Sequence, residues 1–249
     1  MRAFITIWKR EAKAWRLCFS SNLPVMKAEC PLTQEKCVKA LLAKALSEEG
    51  WVLPAGATDN MARYATEMLR WNRRINLTAL TEPEEVVYKH FVDSLHLVPL
   101  LQGSLHVLDL GSGAGFPGAV LAMAMPGLRA CLVESCAKKT AFLRHAAVHC
   151  GLHPRLQVRR LFARGQAKAE GLEGFDAVVS RALMAVDAFL PLAKNYVLPG
   201  GKVLAMLGKA DAALRPTLET LAQAQGCRLV EFRCFCLKQG EQRALACFT

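Results

Sequence analysis

Residues 107–118 read VLDLGSGAGFPG: an apolar run closes on Asp109, and Gly111, Gly113 and Gly115 follow at alternate positions. This is the pattern of a strand that stops, a tight turn whose backbone admits a ligand closely, and a helix start with its free amides. A second apolar run ends on Glu134, where a carboxylate can accept hydrogen bonds from both hydroxyls of a ribose. Together these residues suit a nucleotide-like cofactor at one edge of an open α/β sheet.

Asp109 stands directly before the turn, where its charge suits an ammonium or a water network and sits poorly beside a pyrophosphate. That favours S-adenosylmethionine. NAD sites share the acid at the second strand's end, so Glu134 does not discriminate, but the chain has no second mononucleotide-binding half. A dinucleotide, or a turn that only packs helix on strand, stay open as alternatives. Phe116 either walls the cofactor or packs into the core, and Pro117 suits a first helical turn. Ser180-Arg181-Ala182 follows a fourth apolar run, at the edge where such sheets take ligands, so Arg181 is placed to meet a phosphate or a cofactor carboxylate. Arg160 ends the third run and, with Arg155, Arg159, Arg164 and Lys168, makes a basic rim. Arg70, Arg73 and Arg74 surround Trp71 and Asn72, a basic patch with an aromatic that suits RNA, although Trp71 also keeps a helical apolar stripe. His90 and Asp93, on one helical face, are candidates for a general-base pair or for a tie between helix and sheet.

Positioning these residues requires a sheet preceded by helices. Apolar spacings of three and four predict a helix over 33–46, a second one capped by Asp59, and a third over 84–101 after Pro83, with 72–78 as a polar connection. This helical region, taken as 32–101, needs a partner to bury its stripes and is expected to pack on the sheet. Strands are predicted over 105–110, 129–134, 156–160, 175–180 and 202–206, with helices over 117–125, 138–150, 184–197 and 214–225. In the helix over 138–150, Ala141, Phe142, His145 and Val148 are expected to point inward. Runs over 227–237 and 243–248 complete the pattern as a hairpin. Five parallel strands plus a closing hairpin, within 102–249, is the seven-stranded Rossmann-like α/β arrangement of S-adenosylmethionine-dependent methyltransferases.

The 249 residues are 53% hydrophobic, ample for a sizeable core, and carry 32 Lys and Arg against 21 Asp and Glu, a net charge of +11 that phosphate backbones would explain. The ten cysteines include no CxxC and read as small buried apolar side chains in a reducing compartment, the cytoplasm; no metal site is expected. Residues 1–31 read as an extra leader, either a basic amphipathic helix or a disordered stretch from an early start codon, with an apolar stretch too short to span a bilayer. A monomer that does not engage membranes is expected.

The motifs together resemble the bacterial small-subunit ribosomal RNA methyltransferases of the RsmG type, also called the glucose-inhibited division protein B (GidB) family. The resemblance rests on Trp71-Asn72 with Asn76-Leu77-Thr78, Lys89-His90 with Asp93-Ser94, the loop from Asp109 to Gly118, Lys138-Lys139 with Phe142-Leu143, and Ser180-Arg181-Ala182. It implies methylation of N7 of a guanine in the decoding-region loop of 16S rRNA. It further implies that Asp109, Gly111, Gly113, Gly115, Phe116 and Glu134 hold S-adenosylmethionine, with Leu161 and Phe162 at the adenine. Arg181 would lie on the cofactor side or in the active site with His90 and Asp93, while Arg73, Arg74, Lys89, Lys138, Lys139 and Arg160 face the RNA. Departures are Arg159-Arg160-Leu161-Phe162 for the family's Gly-Arg-Ala-Glu, Leu207-Gly208 for Lys-Gly, and Ala244 for a histidine. Other readings of the residues are a methyltransferase for a non-RNA substrate and an RNA-binding protein that has lost catalysis.

Overall fold

A computed structural model describes residues 31–181, 183–208, 211–238 and 240–249. The leader read over residues 1–31 therefore lies, except for Pro31, outside the described residues. Glu35–Thr249 forms one compact unit. Its helices begin with α1 (Pro31–Glu48), α2 (Ala57–Ile75) and α3 (Pro83–Val86). A π-helical segment (Val87–Val92), α4 (Asp93–Leu95) and a 3-10 turn (Val98–Leu101) lead to the sheet. There β1 (His106–Leu110), α5 (Gly118–Ala124), β2 (Arg129–Glu134), α6 (Ala137–His149), β3 (Leu156–Arg160), α7 (Ala167–Glu170) and β4 (Phe175–Arg181) follow. The chain ends with α8 (Val186–Ala193), β5 (Val197–Leu207), α9 (Arg215–Ala224), β6 (Leu229–Cys236) and β7 (Gln242–Phe248).

The strands lie in the order β3-β2-β1-β4-β5-β7-β6. The first five in sequence pair in parallel, and β7 runs antiparallel between β5 and β6. Side chains alternate across the central strands, and both faces are buried, which is why these strands read as continuous apolar runs. Val107, Leu132 and Val179 join one core with Leu42, Met61, Tyr64, Phe91 and Phe142 of the helices. Leu108, Val133 and Val178 join the other with Phe189, Leu190 and Phe248. Among the described residues, no helix is long and apolar enough to cross a membrane.

Several boundaries differ from the sequence expectation. Gly56, with φ of 78°, stands at the N-cap of α2, and Asp59 lies inside its first turn. The expected connection over 72–78 begins only at Asn76, because Asn72–Ile75 extends the amphipathic helix. The expected long helix over 84–101 breaks into four pieces, among them the π-helical segment that carries His90; such wide turns often aim a side chain at a function. In α6, Ala141 and Val148 face outward, while Ala146 and Ala147 take the buried stripe beside Phe142 and Leu143. Cys131, Cys150 and Cys247 are buried as expected, but Cys37, Cys136, Cys234 and Cys236 are exposed.

Candidate functional site

The glycine turn is pinned to the second strand. The amides of Gly111 and Ser112 donate to the Val133 carbonyl at 2.9 and 3.1 Å, and Gly113 N–H donates to Glu134 Oε2 at 3.0 Å. Cys136 N–H donates to Glu134 Oε1 at 2.7 Å, so the carboxylate is held from both sides at the carboxyl end of β2. Asp109, fully buried at the end of β1, accepts Gly118 N–H on Oδ2 at 2.8 Å and so satisfies the first turn of α5. Its Oδ1 has no hydrogen-bond partner among the described residues. Burial pushes the Asp109 carboxyl up to about 7, against the opposing effects of the Gly118 amide and the Arg181 charge.

Two glycines are required for close approach. Gly115 has φ of 94°, and a Cβ there would lie 2.0 Å from Tyr64 Oη, the hydroxyl that donates to the Ala114 carbonyl at 2.8 Å. At Gly118 a Cβ would meet Leu132 Cδ2 at 2.2 Å and Asp109 Oδ2 at 2.8 Å. The helical region thus touches the turn itself through Tyr64 of α2. Phe116 is buried in the same contact, stacked on His90 with ring centres 4.3 Å apart and edge-on to Tyr64 and Phe91.

Arg181 is the second focus. From the end of β4 it donates Nη1–H to the Lys89 carbonyl at 2.8 Å, and its Nη2 lies 2.8 Å from His90 Nδ1. Its Nη1 is 3.5 Å from Asp93 Oδ2. Since a guanidinium only donates, His90 Nδ1 accepts, and in the neutral ring Nε2–H donates to Thr78 Oγ1 at 3.0 Å. Burial, with the Arg181 charge second, pushes His90 down to about 3, and burial raises the Asp93 carboxyl. Among the described residues no hydrogen bond joins the side chains of His90 and Asp93; both contact Arg181 instead. Asn72 completes the chain of contacts: its Oδ1 accepts Leu77 N–H at 2.6 Å and Thr78 N–H at 3.0 Å, and its Nδ2 donates to the Thr78 carbonyl. Ser180 Oγ donates to the Leu110 carbonyl at 2.9 Å, fastening the ends of β4 and β1.

The basic candidates separate into different roles. Arg73, Arg74, Lys138 and Arg160 are exposed, and Lys139 is half-buried. Arg155 departs from the expected rim: it precedes β3 and donates to the Ala122 and Leu128 carbonyls. Arg159 donates to the Glu170 and Gly171 carbonyls, and Arg70 pairs with the buried Glu67 at 3.0 Å. Trp71 is half-buried against Phe142 and His145. Leu161 packs partly on the second core, while Phe162 projects 67% exposed. Sequence reasoning assigned no role to Glu241 and Arg243. At the β6–β7 turn, Glu241 Oε1 meets Lys89 Nζ at 2.7 Å, Glu241 pairs with Arg243, and Arg243 Nε approaches Asp93 Oδ2 at 3.9 Å. Their sequence signal is confined to their place directly before Ala244, at the turn between the two last predicted strands.

Comparisons with known proteins identify the family of the chain. The family model for rRNA small subunit methyltransferase G matches residues 57–245. Ribosomal RNA small subunit methyltransferase G of Myxococcus xanthus is 42% identical over 202 residues, covering 80% of this chain and 91% of the relative. The protein of the same name from Geobacter sulfurreducens is 40% identical over 175 residues, covering 68% and 79%. In fold, the chain is similar to an O-methyltransferase from Bacillus cereus solved in complex with SAH, with a TM-score of 0.57 at 18% identity over 85% of this chain and 99% of that one. A glycine turn set between Asp109 and Glu134, an arginine held by the preceding helix and a family match from α2 into β7 point the same way: the chain belongs to the family of ribosomal RNA small subunit methyltransferase G.

Proposed function

We propose that this protein transfers a methyl group from S-adenosylmethionine to N7 of one guanine in the decoding-region loop of 16S rRNA, acting as a cytoplasmic monomer on that RNA or on the small ribosomal subunit. The observation that carries the reading is the glycine turn joined to Glu134 on one side and, through Phe116 and His90, to Arg181 on the other. The turn fits the cofactor. Glu134 keeps a second lone pair on each carboxylate oxygen for ribose hydroxyls, Asp109 Oδ1 is buried without a partner, and a Cβ at Gly113 would meet nothing nearer than 4.0 Å. Asp109, Gly111, Gly113 and Glu134 would hold the cofactor, with Phe162 as an exposed apolar face for the adenine.

S-adenosylmethionine, when bound, supplies an electrophilic methyl group. Guanine N7 offers a lone pair and carries no proton, so the acceptor requires no base. His90 accordingly stays neutral with both ring nitrogens engaged, and with Asp93 it fixes the Arg181 guanidinium. Arg181 and the basic groups Arg73, Arg74, Lys89, Lys138, Lys139 and Arg160 contribute by placing phosphate and base, a proximity effect. The guanine must be unstacked or already open in a loop.

The test is incubation with labelled S-adenosylmethionine and small subunits or their naked RNA, followed by mapping of the methylated nucleotide. Label at N7 of a single decoding-region guanine is the expected result. A protein that binds the cofactor yet labels no form of the RNA overturns the reading.

A further inference from the structure

The turn between β6 and β7 folds back on the helical region as a charged strap. Lys238 pairs with Glu48, whose Oε2 also accepts the Tyr88 hydroxyl at 2.7 Å. One step further, the Glu241 carboxylate spans two cations, Lys89 at 2.7 Å on Oε1 and Arg243 on Oε2. Arg181 lies behind them, joined through Asp93. Glu241 is the outer member of this group: its side chain is 34% exposed, against 17% for Lys89 and 19% for Arg243. A carboxylate held by one ammonium and one guanidinium, on the solvent side of both, has the charge and the two-oxygen geometry of a phosphodiester.

We propose that Lys89 and Arg243 form a receiving site for an RNA backbone phosphate, which Glu241 occupies in the free protein and vacates when RNA binds. The inference rests on the reading of this protein as an RNA methyltransferase and adds two residues and an exchange to it. The exchange replaces one anion by another, so neither cation loses a partner. Lys89 keeps Glu85 at 2.6 Å and Arg243 keeps Asp93 throughout. Glu241 is carried on a short turn, closed by Leu237 N–H to the Glu241 carbonyl and Gly240 N–H to the Leu237 carbonyl, with Gly240 at φ of 82°. Its release therefore needs no movement of the sheet. The occupied state also screens the cations from stray anions, so only a partner that brings many phosphates at once displaces the carboxylate.

The experiment compares the whole protein with Glu241→Gln, Arg243→Gln and the double variant. Each is measured for binding to a 16S rRNA fragment containing the decoding loop across a salt series, and for methyl transfer to it. Gln keeps the shape of the turn and removes the competing charge. We expect Glu241→Gln to bind RNA about fivefold more tightly near 0.1 M salt, with a steeper salt dependence by somewhat less than one unit. Arg243→Gln weakens binding, and in its background the gain from Glu241→Gln is lost or halved. Unchanged or weaker binding by Glu241→Gln, or a gain that persists in full without Arg243, overturns the exchange. If wild-type protein still binds and methylates the RNA in that case, the functional reading stands without it. If the wild type neither binds nor methylates any RNA, both fall together.

Discussion

His90 acts as a fixed acceptor, and its neighbours say what its loss costs. His90→Ala leaves the buried guanidinium of Arg181 without a partner for Nη2 and removes the ring stacked on Phe116. We expect about 2 kcal/mol or more of lost stability by denaturant unfolding, with His90→Asn recovering part of it because an amide oxygen can replace Nδ1. With His90 held near 3, the methyl-transfer rate shows no limb from this residue between pH 5 and 8. Asp109 behaves differently. Its folded carboxyl is raised from the ordinary 3.8 to about 7, so the folded state favours the protonated form. The stability this contributes is complete below about pH 4 and is lost as pH rises through 7. Asp109→Asn removes that loss. Over this window the unfolding free energy of the cofactor-free variant should gain on the wild type by on the order of a few kcal/mol, read from denaturant melts. These roles were only partly legible in the residues. The spacing of His90 and Asp93 showed that they share a face, but their common partner comes from β4, at a sequence distance that no local pattern spans.

At the level of elements, the turn after β1 was legible because glycine has few reasons to recur at alternate positions. What the three glycines do individually was not, since the neighbour that makes Gly115 obligatory is a tyrosine from α2. Gly113→Ala places a methyl group in open space at φ of 58° and should cost about 1–2 kcal/mol of backbone strain. Gly115→Ala should cost clearly more, because its Cβ enters the space of Tyr64 Oη and breaks the bond to Ala114. Thermal melts of the two variants rank them, and equal losses would mean that Tyr64 yields freely. Strands β2 and β3 match their expected bounds from end to end, whereas the helix expected over 84–101 is fragmented. Its periodicity is set by which residues reach Phe116 and Arg181 rather than by one continuous stripe, and periodicity alone does not register such a tertiary demand.

For the molecule as a whole, the net charge of +11 is divided between cations already committed to carbonyls or carboxylates and cations facing solvent. Arg155, Arg159 and Arg70 belong to the first kind, Arg73, Arg74, Lys138 and Arg160 to the second. Composition announced the excess without this division, because exposure and pairing depend on the fold. Replacing Arg73 and Arg74 together by Gln should weaken RNA binding and lower the slope of log K against log salt by about 1.5 to 2. A slope unchanged in filter-binding measurements would place the RNA elsewhere. The sheet order carries one more consequence, for how the chain acquires its site. Strand β7 is last in sequence yet lies inside the sheet, between β5 and β6, and bears Arg243 at its start. A chain that stops short of Gln242 leaves β6 without its neighbour and Asp93 without its second guanidinium, however complete its cofactor turn. The glycine turn can thus take shape early in synthesis, while the ion-pair group of Lys89, Glu241, Arg243 and Asp93 waits for the final strand to slide into the gap.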